Sequence, residues 1–219
     1  MVIPSMFTLA IFPVISRHAR EDRERFRRFY RLGVKILVTL VLPVAVLSTL
    51  AAREMVLVLG GPQYLPDAMI TLQLMAWSMP IGWVNSLTQY VLIALDQQRY
   101  LTRAYLFGFG FSLIANLVFI PLYGYRASAV IHIFAELALF VPFILGVRRE
   151  IGALEWKEVI SAPLLATLIM GAVAVPLYLL LGRGWALLGA ALAYPLAAWR
   201  LGFLSEAERA MLAPLFRRN

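Results

Sequence analysis

Long apolar runs separated by short polar breaks dominate the chain. Six such segments, 33–52, 68–95, 104–122, 127–147, 159–181 and 184–199, follow a charged stretch that ends near Lys35. A helix rises ~1.5 Å per residue, so about 20 residues cross a ~30 Å hydrocarbon core. Most of the six reach that length, and the second has room for tilt. The last is the shortest; it is expected to continue to Leu204, with Arg200 snorkelling to the interface. None alternates as a barrel strand does, and backbone in lipid must satisfy its own polar groups, so all six are predicted helical.

Prolines sit inside or at the end of every span: Pro43, Pro80, Pro121, Pro142, Pro163, Pro176 and Pro195. Pro80 is expected to break the second. Membrane helices tolerate proline, and kinks also let helices bend during alternating access; both readings stay open. The Gly189/Ala193 spacing and the Gly171, Ala172, Ala174 cluster suit close helix packing.

An earlier apolar run, Met1 to Ile15, has no basic segment before it and no small-residue cleavage site after it. It does not read as a signal peptide. It is also too short to span, and is expected to be the second half of a helix whose first half is missing.

Composition agrees. Hydrophobic residues make up 62% of the 219 positions, against ~45–50% in soluble domains. The expected fold is an all-α, polytopic membrane helix bundle, with six full transmembrane helices plus a partial N-terminal one, in contact with membrane lipids. The net charge of +8 does not point to nucleic acid, because no basic face is interleaved with aromatics on a soluble module. With no cysteine there is no disulfide, no thiolate nucleophile and no cysteine metal site.

The charges are better read as topology. Seven arginines, Arg17, Arg20, Arg23, Arg25, Arg27, Arg28 and Arg31, crowd one stretch against Glu21, Asp22 and Glu24. Short Lys/Arg-rich loops stay on the cytoplasmic side. With this basic loop inside, 17 of the 20 Lys and Arg fall on cytoplasmic segments, leaving Arg53, Arg126 and Arg183 outside. The C-terminus is then cytoplasmic.

Polar residues within the apolar runs are the candidate site. Asn85, Thr88 and Gln89, at i, i+3 and i+4, share one face of the second span; Asn116 lies deep in the third. His132 and Glu136 are one turn apart in the fourth. A charge at mid-bilayer costs at least ~2.5–3.5 kcal/mol on insertion scales, so Glu136 is expected to be protonated, paired or facing a wet cavity. Interhelical hydrogen bonding, a local His132–Glu136 pair and a hydrophilic substrate pathway all fit. Catalysis fits poorly, because no second convergent carboxylate, metal-ligand set, GxSxG or phosphate-cradling loop is present. Gly60-Gly61-Pro62 is a turn, since no Gly-Lys-Ser/Thr follows. No catalytic residue, metal or cofactor is expected.

Four stretches in order carry a family resemblance: FPVISR (12–17) with its mixed-charge loop, AAREMVLVLGGPQYLPDA (51–68), VLIALDQQRYLTRAY (91–105) and ANLVFIPLYGYRASAVIHIFAE (115–136). Together, over roughly residues 7–140, they resemble the C-terminal half of the polysaccharide flippases of the MOP exporter superfamily, which are related to the lipid II flippase and more distantly to MATE exporters. Arg126 departs from the small residues common there in that family, and would snorkel to the interface or line an outward vestibule.

The resemblance implies a parent of two six-helix bundles with two extra C-terminal helices. Residues 1–16 would be the tail of a truncated helix, 17–32 the basic loop and 33–148 a four-helix portion of the second bundle. Residues 149–204 would form the two added helices, and 205–219 a cytoplasmic tail. A truncated frame or excised fragment is expected rather than a natural half-transporter. The missing bundle or a second copy is then an implied partner, and a polysaccharide polymerase or glycosyltransferases possible ones. The implied cargo is an undecaprenyl-diphosphate-linked oligosaccharide, its lipid tail near the last two helices, in a bacterial or archaeal cytoplasmic membrane. Alternatives are a MATE-like cation exporter and a membrane glycosyltransferase or acyltransferase.

Overall fold

The structure, a computed structural model, describes residues 22–203 and Glu208. The expected tail of a helix over 1–16, Arg17 and Arg20 lie outside the described residues. Among those described, the fold is all-helical: α1 (Arg23–Leu59), a 3₁₀ turn (Pro62–Tyr64), α2 (Asp67–Ala76), α3 (Met79–Ala94), α4 (Gln98–Tyr123), α5 (Tyr125–Ile151), α6 (Trp156–Leu181) and α7 (Arg183–Arg200).

Four helices, α1, α4, α5 and α6, are long and apolar enough to cross a membrane. The expectation of six full spans is met at that stringency by four. The second expected span is two helices, α2 of 10 residues and α3 of 16. Pro80 stands in the first turn of α3 and brings no N–H for the carbonyl four residues back, so the chain turns at Trp77–Ser78. The Ser78 hydroxyl closes the break on the Met75 carbonyl (2.7 Å). The sixth, α7, has 18 residues.

The first span is longer than expected. At 37 residues, α1 runs about 55 Å, far beyond the hydrocarbon thickness. It takes in the second half of the expected basic loop, so Arg23, Arg25, Arg27, Arg28 and Arg31 are helical. Asp22 starts the helix: its carboxylate accepts from the Arg25 amide at 3.0 Å, satisfying a donor that the first turn leaves open.

Two apolar clusters hold the bundle. The larger joins Phe26, Tyr30, Leu37 and Val41 of α1 to Trp83, Leu87 and Leu92 of α3 and Phe143 of α5. The smaller is built from Ala166, Met170 and Ala174 of α6 against Ala190, Tyr194 and Ala197 of α7, seated on Val46, Leu47 and Leu50 of α1. Small side chains let these two backbones approach. A Cβ on Gly189 would come within 2.2 Å of Leu177, as its expected packing role requires. Of the Gly171 cluster only Ala174 is buried; Ala172 is exposed and nothing lies against Gly171.

Proline leaves its mark inside α1. Pro43 has no N–H for the Thr39 carbonyl, four residues back. The buried Tyr194 hydroxyl donates to that oxygen at 2.6 Å. A kink-forming residue thereby becomes an attachment point between α7 and α1.

Candidate functional site

The helix packing creates two polar ends and one polar centre. At the first end, arginines of α1 reach the α5–α6 turn. Arg23 donates to the Glu150 carbonyl (3.2 Å) and Arg27 to the Ala153 carbonyl (2.6 Å). Arg31 pairs with Glu158 (2.8 Å) and Glu155 (3.2 Å). Gly152, at φ +86°, makes this turn in a conformation that suits glycine. Arg25, Arg28 and Arg99 are exposed at the same end. Much of the arginine cluster therefore docks one helix onto a loop.

At the other end, Arg126 donates to Asp67 (2.7 Å) and its Nε to the Tyr125 hydroxyl (3.3 Å). Hydrogen bonds from Tyr125 and then Arg126 hold the Asp67 carboxyl below the usual carboxylate range. Arg183 pairs with Glu54 (3.3 Å).

The centre gathers the sequence-predicted polar residues around α3. Asn85 is buried, and its Nδ2 donates both to the Glu136 carboxylate (2.8 Å) and to the Glu136 carbonyl (2.9 Å). Its Oδ1 is buried with no hydrogen-bond partner among the described residues. Thr88, one turn on, turns the other way: its hydroxyl meets Tyr30 of α1 at 2.8 Å and donates to the Val84 carbonyl at 2.7 Å. Gln89 faces α4, where its Oε1 accepts from the Tyr105 hydroxyl. One expected stripe thus serves three neighbours, because a helix at the middle of a bundle has partners on every side.

Glu136 is partnered, as expected, but by Asn85 across the bundle. His132 makes no hydrogen bond with the described residues, so the local His132–Glu136 pair does not form. Asn116 does not bridge helices either; it donates to the Ser112 carbonyl in its own helix (2.7 Å). Arg126 lies far along α5 from this centre, in the pair with Asp67.

Sequence reasoning missed the tyrosines. Tyr30, Tyr105 and Tyr194 each supply a hydroxyl to a polar group that lipid could not satisfy, and Tyr100 does the same for the Pro142 carbonyl (2.7 Å). The available signal was a tyrosine inside an apolar run, which needs a partner when buried. The ion pair of Lys35 with Glu208 (2.9 Å), nearly shielded from solvent on both sides, was also unforeseen. It places one residue of the expected cytoplasmic tail, 205–219, against α1.

A family model described as "Polysaccharide biosynthesis protein" matches residues 1–69. The match takes in the arginine cluster, all of α1 and the Gly60–Pro62 turn. No curated protein matches the chain.

Proposed function

We propose that this chain is part of a polysaccharide flippase or exporter, moving an undecaprenyl-diphosphate-linked oligosaccharide across a bacterial or archaeal cytoplasmic membrane. The family match over residues 1–69 is the observation that carries the reading. The helical bundle and its four membrane-length helices support it. The buried Asn85–Glu136 contact joins α3 to α5 and suits a transport path, since it can relay a conformational change between the two helices. In this reading the bundle works against a second lobe, a missing N-terminal bundle or a second copy, by alternating access, and neighbours include a polymerase or glycosyltransferases. The arginine-rich end is cytoplasmic.

Sidedness has a direct test. Single cysteines in place of Arg25 and Arg99 should be shielded from an impermeant thiol reagent in intact cells, while one at Gln63 should label. The reverse pattern would invert the topology.

Function is tested at Glu136. Glu136→Gln keeps an oxygen for Asn85 and removes only the charge. Membrane abundance should stay near normal while surface polysaccharide export falls. Unchanged export per molecule would remove Glu136 from the transport path.

A further inference from the structure

Besides the polar centre, two hollows flank one ion pair, with Arg126 lining one and Asp67 the other. The first is an apolar crevice of about 460 Å³ between α4 and α5. Phe111, Ala115, Phe119 and Tyr123 line it at four-residue intervals on α4, facing Val130 and Phe134 of α5. Its single charged lining residue is Arg126, at the helix end. The second is a bowl of about 940 Å³ on the α1–α2 side. Gln63, Tyr64, Asp67, Thr71 and Tyr125 bring amide, hydroxyl, carboxylate and aromatic groups to its wall. Asp67 and Tyr125 are the residues that hold Arg126. The guanidinium therefore stands between a hydrocarbon-lined slot and a bowl that is polar beside Asp67 and Tyr125 and apolar along Met55, Leu59, Leu72 and Met75.

We propose that this junction binds a phosphorylated, sugar-bearing polyprenyl lipid: the chain in the α4–α5 crevice, the phosphate on Arg126, and the first sugar in the bowl. The choice of lipid rests on the polysaccharide-export reading; the order of chain, charge and sugar comes from the site. A guanidinium has five donor hydrogens. Asp67 and Tyr125 engage only two of Arg126's nitrogens. Arg126 and Asp67 are both about half exposed, and an exposed ion pair is worth ~0–1 kcal/mol. A phosphate can share or displace Asp67 cheaply. Tyrosine faces pack against sugar C–H groups while Asp67, Gln63 and Thr71 meet the hydroxyls. An ordinary phospholipid would use the slot and Arg126 but leave Gln63, Asp67 and Thr71 of the bowl without a hydroxyl partner.

The test uses the full chain in lipid nanodiscs with a benzophenone amino acid in place of Phe134, one of the crevice walls. The probe is a radiolabelled polyprenyl diphosphate carrying one hexose. Labelling should be competed by the unlabelled probe at about tenfold lower concentration than by phosphatidylglycerol or free polyprenol. Arg126→Gln should weaken it about tenfold, the scale of losing charge-assisted hydrogen bonds. Asp67→Asn, which releases the guanidinium, should strengthen it about threefold. Equal competition by phosphatidylglycerol would make the crevice a general lipid slot and overturn the proposal, as would labelling indifferent to both substitutions. This readout is separate from export. Selective binding with normal export by Glu136→Gln would keep this site and remove the transport path argued above; the opposite pattern would do the reverse.

Discussion

α3 and α4 are consecutive helices, both read from the sequence as spanning, and the bundle treats them in opposite ways. α3 is surrounded: Trp83, Val84, Asn85, Leu87, Thr88, Val91 and Leu92 are all buried in its 16 residues. α4, with 26, buries only Leu101, Ala104, Gly108 and Ala115, and shows Leu106, Phe107, Phe109, Ile114 and Leu117 to its surroundings. Large apolar side chains of α4 lie outside, while Asn85 and Thr88 of α3 lie inside. In water the order would be inverted. In lipid there is no penalty for exposing phenylalanine, whereas an unpaired amide costs several kcal/mol, so polar residues collect where other helices can satisfy them.

The most direct test of this contrast removes the amide at the centre. Asn85→Ala deletes both hydrogen bonds to Glu136 and leaves a carboxylate without its described donor. We expect a loss of about 2–3 kcal/mol, the range for hydrogen bonds to charged groups, read as a lowered unfolding temperature in detergent. An equal drop for Asn116→Ala, whose amide bonds only within its own helix, would mean that position in the bundle does not set the cost.

A smaller effect is expected where α3 and α4 both meet α5. A Cβ on Gly146 would stand 2.6 Å from the Tyr100 ring of α4 and 3.1 Å from Leu92 of α3. The Tyr100 ring cannot withdraw freely, because its hydroxyl is held by the Pro142 carbonyl. Gly146→Ala should therefore cost about 1–3 kcal/mol, as overpacking does. Pairing it with Tyr100→Ala, which clears the clash, should make the two effects markedly non-additive.

Much of the fold was legible because lipid imposes simple demands. Each of the six apolar runs after the charged stretch became helix, and the break at Pro80 appeared where a missing N–H required one. Charge counting separated the two ends of the bundle. What stayed hidden was direction. Spacing placed Asn85, Thr88 and Gln89 on one face, but that face spans about 100°, which separates α5 from α1 and α4. Spacing also paired His132 with Glu136, although the helix at Asn85 offered a better donor. The same limit applies to Arg23–Arg31, read as loop from charge alone: nothing in their composition forbids helix, and Asp22 caps one.

The mildest prediction concerns the outer face of α4. Leu117 is 68% exposed and Leu87 of α3 is fully buried. Leu87→Ala should cost about 2–5 kcal/mol, the sum of lost burial and a residual cavity. Leu117→Ala should stay within about 0.5 kcal/mol, as surface changes do, because lipid fills whatever space the side chain vacates. Both can be read from unfolding in the same bilayer-mimicking micelle, with helix content checked alongside. A cost for Leu117→Ala approaching that for Leu87→Ala would show that α4 packs against protein on its outer side. The contrast between the two helices would then reflect an unfilled interface, one that a second lobe or a second copy of the chain covers.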